Sequence, residues 1–416
     1  MRALPLILCF WAGIGALAPS PVQAQDAADD PAAVQPGPTL DVADLWHRFR
    51  HKDEPAPAAP DTQTDPQRRF LVMVPGIGAR PSTGVTLGVN GNMAFFRGDA
   101  HSTHISSMVG GFRVSQKMQV LSNVRFAIFT ENDRWFLQGD NRSNWTSLDT
   151  YDLGSDSGTG GAANLKFNFF RLNETAYRTV KPGLFVGAGL NVNVRSNIRA
   201  GDGETGFDRS AYLAYTERHG FAREQQVSTG TNLGLLFDTR DNGINATRGW
   251  LASAAYHTFF KGFVGGDTTW QELSLDLRTY RPLTASGSQR LAFWVMSDLV
   301  TGGAAPYLDL PTTGGDARSG RGYTEGRYRG ERLVYGEVEY RGTLTRSGLL
   351  GFVAFFNTST IASTEAGTTL LETYAPAAGF GLRVLLNKRS RTNLTSDWAW
   401  GKQGSHGFYL GIQEAF

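Results

Sequence analysis

Cysteine is all but missing from the 416-residue sequence: Cys9 is the single one, in the apolar stretch at the start. Disulfides and thiolate metal sites are therefore excluded from everything after it. Beyond that first segment, no uninterrupted apolar run reaches the roughly 18 residues of a membrane-spanning helix. An excess of one charge is missing too, since 40 lysines and arginines face 38 aspartates and glutamates. A nucleic-acid partner would leave a clear basic surplus, so none is expected. No Gly-x-Ser-x-Gly elbow occurs, which removes the hydrolase signature built on it.

What is present begins with a secretory signal. Arg2 gives a charged start, Leu4 to Leu17 an apolar run, and Val22-Gln23-Ala24 a small-residue cleavage site before Gln25. Residues 1–24 are expected to be removed as a signal peptide. Leu8 stands before Cys9 where a lipoprotein signal needs a small residue. Residues 25–69 are rich in proline, alanine and aspartate and read as a flexible leader. Within it, LDVADLWHRFRH places Leu40, Ala43, Leu45, Trp46 and Phe49 near one face of a short amphipathic helix. A disordered tail with incidental apolar residues fits the same stretch, because isolated helices this short are marginal.

From Phe70 to the end, segments that alternate apolar and polar residues are separated by turn residues, the period of β-strands. In QELSLDLRTYR (271–281), Leu273, Leu275 and Leu277 oppose Glu272, Ser274, Asp276 and Arg278. In LVYGEVEYRGTL (333–344), Val334, Val338 and Tyr340 oppose Tyr335, Glu337, Glu339 and Arg341. In AGFGLRVLLN (378–387), Phe380, Leu382, Val384 and Leu386 oppose Gly379, Gly381 and Arg383. An antiparallel sheet with one wet face would alternate in the same way. Three features favour lipid. Full ions of both signs occupy one face on successive strands, as a polar lumen requires. The other face carries more leucine, phenylalanine, valine and tryptophan than solvent tolerates. Aromatic residues gather at segment ends (Phe95-Phe96, Phe259-Phe260, Trp398-Trp400), like interfacial girdles. In hydrocarbon every backbone polar group must be paired, and a closed barrel does this without an edge. The mean hydropathy of −0.27 fits strands of which half faces water.

The fold expected is therefore all-β: a transmembrane antiparallel β-barrel of about 16 strands over residues 70–416, in the bacterial outer membrane. Its segments include 118–132, 134–146, 162–178, 183–196 and a last strand at 407–416. Short turns at 346–348 and 388–390 alternate with long connections at 147–161, 197–225 and 303–331; in such barrels the short ones face the periplasm. Phe416, an aromatic at the end of the last strand, suits an assembly signal, with Glu414 at an outward position against it.

Residues 314–341, GGDARSGRGYTEGRYRGERLVYGEVEYR, run from a glycine- and arginine-rich loop into a strand with one charged face. They hold Arg321-Gly322-Tyr323, then Gly326-Arg327-Tyr328-Arg329-Gly330, then Glu337-Val338-Glu339-Tyr340-Arg341. Phe237-Asp238-Thr239-Arg240-Asp241-Asn242 with Arg248-Gly249, Val74-Pro75-Gly76-Ile77-Gly78 and the closing stretch from Thr392-Asn393-Leu394 to Phe416 accompany them. In this order and spacing, the pieces resemble the BamA/TamA-like bacterial surface antigens, a superfamily of outer-membrane assembly factors, over residues 70–416.

The resemblance implies a loop folded back into the lumen, its arginine meeting carboxylates on the inner wall of the next two strands. Arg321 is a permanent cation with a planar fork for carboxylates. Glu339 is its best-placed acceptor by resemblance, with Glu337 beside it, and Gly320 and Gly322 would allow a tight turn. The implied latch is Arg321, Gly322, Tyr323, Glu337, Glu339 and Asn357. Two departures stand out. Gly320 replaces a frequent branched apolar residue, and Asn357 stands where many members have aspartate, so the latch should be weaker or differently partnered. A charged loop packed statically in a pore fits the same residues.

Members that handle client proteins carry POTRA domains before the barrel, and residues 25–69 are too few and too linker-like to hold one. The implied function is insertion or translocation of proteins or lipids across the outer membrane. The associates would be outer-membrane lipid, protein clients, and a periplasmic partner or a second copy of the chain. A passive pore or structural barrel is the alternative. No enzyme activity, cofactor or metal is expected. His101 and His104 lack clustered carboxylates. His257 lacks a partner by spacing, and GDGETG (201–206) lacks the repeated oxygen ligands of a calcium loop.

Overall fold

The computed structural model describes residues 39–42, 44, 45, 49, 69–80, 84–99, 102–314 and 319–416. The signal segment, most of the leader and His101 lie outside these residues.

Sixteen strands follow one another. The first four are β1 (Phe70–Arg80), β2 (Gly84–Phe95), β3 (Ser106–Ser115) and β4 (Val120–Phe129). Next come β5 (Trp135–Thr150), β6 (Ala163–Lys181), β7 (Leu184–Ala200) and β8 (Gln225–Asp238). The third quarter is β9 (Gly249–Phe259), β10 (Trp270–Pro282), β11 (Gln289–Gly303) and β12 (Arg332–Thr343). The last are β13 (Leu350–Ala362), β14 (Ala375–Asn387), β15 (Thr392–Gly401) and β16 (His406–Ile412). Each pairs antiparallel with its sequence neighbours, and β1 meets β16, so the sheet closes into a barrel. The even count puts the start of β1 and the end of β16 at the same, short-turn end.

The alternation read from sequence becomes two faces. On β8, Leu233, 68% exposed, points outward with Leu235 and Phe237, while Asn232 and Leu236, on the alternate phase, are buried inside. On β12, Tyr335, Glu337, Glu339 and Arg341 are all buried in the interior. A side-chain period of two fixes this, because a one-residue slip would carry every charge into the apolar belt.

Closure is uneven. β1 pairs with β2 along its whole length, from Phe70↔Ala94 to Arg80↔Gly84. β15 and β16 pair from Leu394↔Ile412 to Trp400↔His406. Between β1 and β16 the described pairing is Ala79↔Phe408 alone.

Several placements differ from the sequence reading. β16 stops at Ile412: Gln413 has φ +74°, and the chain leaves the sheet toward the interior. Glu414 is consequently buried against Arg383 rather than facing outward. Phe416 is buried too, its ring 5.2 Å from Trp294 and its carbonyl accepting from Arg341 at 2.9 Å. Phe259 is not in an outer girdle but stacks on Trp270 at 4.2 Å in the interior. β5, β6 and β7 extend past their expected ends to Thr150, Lys181 and Ala200.

The long connections account for that extension. Residues 201–224 contain a helix that the sequence reading did not anticipate, α1 (Ala211–Arg218), capped by Ser210 accepting from the Leu213 amide at 3.3 Å. Tyr212 and Tyr215 of α1 pack with Leu148, Leu165, Ile198 and Tyr307, roofing the long-loop end with apolar surface.

At the short-turn end, Val42, Asp44, Leu45 and Phe49 of the leader are helical. Asp41 and Asp44 cap each other reciprocally, each backbone amide donating to the other carboxylate at 3.0 Å. This turn sits on the barrel. The Leu40 amide donates to Ser347 at 2.9 Å, and Lys388 Nζ lies 2.7 Å from Asp44.

Candidate functional site in the barrel lumen

The loop between β11 and β12 enters the lumen as a hairpin. An isolated bridge, Thr312↔Arg329, closes its base, and Arg329 donates to the carbonyls of Tyr307 and Leu310 at 3.0 and 3.1 Å. Arg321 lies toward the hairpin's inner end, between two glycines with positive φ, Gly320 at +67° and Gly322 at +104°. A Cβ on Gly322 would come within 2.7 Å of the Ala377 Cβ, so space as well as φ demands glycine there.

Arg321 is buried, and its guanidinium meets three carboxylates. Nη2 donates to both Glu337 and Glu339 of β12, and Nη1 to Asp397 of β15 at 2.6 Å. Its face lies 3.6 Å from the centre of the Phe355 ring. The network continues on both sides. Arg341 donates to Glu339 at 2.5 Å, and Tyr335 to Glu337. Arg383 bridges Asp397 at 2.6 Å and Glu414 at 2.7 Å. Three guanidinium groups thus stand among four carboxylates, and every one of these side chains is buried. Burial without such pairing would cost several kcal/mol per ion, so the arrangement holds only as a set.

Tyr323 fixes the hairpin on the far side. Its hydroxyl donates to the Pro376 carbonyl at 2.6 Å and accepts from the Lys402 amide at 2.9 Å, and its ring fills the space over Gly401. The Gly322 amide donates to the Tyr409 hydroxyl at 3.0 Å. Arg-Gly-Tyr therefore touches β12 through β16, the strands leading to the loosely paired seam.

Of the six latch residues named from sequence, all converge here. Asn357 serves otherwise than as a carboxylate substitute: its Nδ2 donates to the Arg321 carbonyl at 3.0 Å, holding backbone. The missing charge comes from Asp397, which the sequence reading did not single out. It lies on the polar phase of TNLTSDWAWG (392–401), and that phase was the available signal. Phe355 and Arg383 were likewise legible as inward positions but not as contacts.

A second charged region lines the opposite lumen wall, facing a cavity of about 580 Å³. β3 to β7 present Arg113, Arg125, Arg142, Arg171 and Arg195 to it, with Asp140 the carboxylate among the described lining residues of those strands. Glu272 and Asp298 on β10 and β11 line another side. His257 also borders the cavity, with Nδ1 3.3 Å from Asn191 Oδ1. Outside the lumen, His104 pairs with Asp133 at 2.6 Å, and the hydrogen bond to that carboxylate raises its pKa above the usual histidine value. Among the described residues no group of three or more histidine, cysteine or acidic side chains is placed to hold a metal ion.

The chain superimposes on BamA from Haemophilus ducreyi lacking POTRA domains 1–3, with a TM-score of 0.52 and 15% identity, covering 83% of this chain and 69% of that one. CdiB from Acinetobacter baumannii gives a TM-score of 0.52 at 13% identity, covering 83% of this chain and 59% of that one. CdiB from Escherichia coli gives 0.51 at 11% identity, covering 86% and 63%. Both CdiB chains are thus spanned for less than two thirds of their length. At these identities the likeness concerns the fold. A search of curated proteins gives no match. The Omp85 superfamily domain matches residues 121–416, from β4 through the Arg321 hairpin to the end, and the chain belongs to the Omp85 superfamily.

Proposed function

We propose that this barrel acts in the bacterial outer membrane in the insertion or translocation of proteins or lipids, with the short-turn end toward the periplasm. The observation that carries this reading is the seam. Among the described residues β1 and β16 pair at Ala79↔Phe408, whereas every other neighbouring pair of strands is joined by a ladder of several residues, bulged between β6 and β7, β10 and β11, and β14 and β15. In hydrocarbon each unpaired backbone group costs several kcal/mol, so lateral opening is cheapest where fewest bonds must break. The Arg321 network supports the same reading, because it clamps the lumen hairpin onto β12–β16, on one side of that seam. It acts as a latch that keeps the hairpin inside while β16 moves against β1.

The test is a reversible lock. Ala79→Cys with Phe408→Cys places two thiols at a directly opposed antiparallel pair, within disulfide reach. Oxidised protein should fail to assemble a client barrel supplied to proteoliposomes, and reduction should restore assembly. Equal assembly by oxidised and reduced forms would remove the reading. Planar-bilayer conductance of Arg321→Ala separates latch from static plug: a large increase shows that Arg321 restrains the hairpin, and an unchanged current removes the latch.

A further inference from the structure

The helical turn of the leader takes no part in the lumen, and it sits on the barrel the opposite way round from an ordinary surface helix. A helix laid on a protein in water buries its apolar stripe and turns its charges outward. Here the barrel holds the polar groups. Asp41 is buried, its Oδ2 accepting from the Lys388 amide at 3.0 Å, and Asp44 takes the Lys388 ammonium at 2.7 Å. The Leu40 amide completes the attachment on the β12–β13 turn. Val42, Leu45 and Phe49 are left exposed, Phe49 by 71%. Steps of three and four residues put them on one helical face, and the sequence adds Trp46 to that face by the same spacing. In water such a stripe would gain by turning inward.

The barrel beside the turn indicates what covers it. Leu344 and Leu350 flank the β12–β13 turn, the Leu344 amide donating to the Leu350 carbonyl at 2.8 Å, and both side chains are exposed. Leu350 shares the outward phase of the exposed Phe356 on β13, and Phe380 and Leu382 continue the apolar surface on β14. The lipid-facing wall therefore runs down to the turns that carry the leader. Charge agrees with this. Arg346 is exposed in one of these turns, and Lys388 and Arg389 stand in the other. Beyond Asp44 the sequence reads LWHRFRHK, with Arg48, Arg50 and Lys52 and no acidic residue. An apolar stripe bordered by cations suits a leaflet whose headgroups carry phosphate.

We propose that the leader turn at residues 40–49 is an interfacial anchor: Val42, Leu45 and Phe49 enter the headgroup–acyl boundary of the periplasm-facing leaflet, and the basic residues beside them meet its phosphates. The anchor takes from the reading above only that the short turns face the periplasm, and it does not depend on the seam opening. Lipid fits the stripe better than a protein partner does, because a protein bound at that level would have to displace lipid from the outer wall at Leu344 and Leu350. The polar attachment through Lys388 then has a purpose: it sets the depth and the rotation at which the stripe meets the leaflet.

The experiment uses the full chain with Cys9→Ser, in which Leu45→Cys is the sole thiol and carries an environment-sensitive fluorophore. The protein is placed in nanodiscs of phosphatidylethanolamine and phosphatidylglycerol containing lipid spin-labelled either near the headgroup or near the chain end. The shallow label should quench the fluorophore by roughly twofold or more over the deep one, and aqueous iodide should not reach it. Replacing phosphatidylglycerol by phosphatidylcholine should weaken the shallow quenching, and no change would remove the role given to the basic residues. Val42→Ser with Phe49→Ser should bring the fluorophore into water, open to iodide and lost to lipid quenching, while heat modifiability on gels shows the barrel still folded. Lys388→Gln, which loosens the polar attachment and leaves the stripe intact, should keep lipid quenching; its loss would show that the barrel alone holds the turn and would overturn the proposal. A fluorophore open to iodide without the serine substitutions would overturn it too, and leave the face to a soluble partner. So would shielding without lipid quenching, with a doubled mass in native mass spectrometry assigning the face to a second copy. None of these outcomes alters the result of the disulfide lock, so the anchor and the seam stand or fall separately.

Discussion

The two walls of the lumen use the same residue types to opposite ends. Around Arg321, three arginines and four carboxylates are interleaved so closely that all are buried, with Glu339 fully inaccessible. Around Asp140, the charged side chains border the cavity and stay partly accessible, that of Asp140 by 27%. Charges that neutralise one another can exclude water and act as a clamp. Charges that border the cavity keep part of their hydration and need no such tight neutralisation. The lumen is thus a locked half beside β12–β16 and an open half beside β3–β7.

The largest effect should come from the locked half. Arg321→Ala leaves Glu337, Glu339 and Asp397 facing one another without their shared cation, a loss of about 3–5 kcal/mol, as for other broken buried pairs. The thermal midpoint of the heat-modifiable band on gels should fall accordingly. Asp397→Asn removes one partner of both Arg321 and Arg383 but leaves each another carboxylate, and should cost about 2 kcal/mol on the same assay. Asp140→Asn, in the open half, should change stability by about 1 kcal/mol or less, since water and salt screen the remaining arginines. A cost as large as that of Arg321→Ala would erase the distinction between the halves.

The smallest effect lies outside both. His104, at the short-turn end, has its folded pKa raised by Asp133. Its contribution is full below the ordinary histidine value near 6.5 and is lost as pH rises through the raised value. His104→Gln should therefore destabilise by about 1 kcal/mol or less in mild acid and by nothing at alkaline pH. Melting curves of both proteins across that range check the sign.

Much of this was legible beforehand. Period-two patterning in segments such as 271–281 and 333–344 was enough for strand number and for the inward placement of Glu337 and Glu339. A slip of one residue would have put those charges in the apolar belt. The Arg321 loop was singled out through its resemblance to a family; Glu337 and Glu339 of the next strand meet it, while the third carboxylate comes from β15 and not from β13. What was missed shares one character: it depends on neighbours remote in sequence. Asp397 lies 76 residues from Arg321. Helix α1 has its apolar residues covered by Tyr307 and Leu308 of another loop, and alone its eight residues carry no signal that composition could separate from coil. The inward turn at Gln413 reversed the expectation for Glu414 and Phe416, because Arg383, Arg341 and Trp294 offered better partners than the sheet edge.

The sequence by itself determined the class of wall: alternating residues admit one face for hydrocarbon and one for water, whatever the chain does elsewhere. Only the tertiary structure decided where that wall is weak and which charges meet. A ladder closes or fails according to how β1 and β16 are brought together at the end of the circuit. An ion pair likewise exists only where two distant strands bring its members within a few ångströms. Both are properties of closure, and no local pattern encodes them.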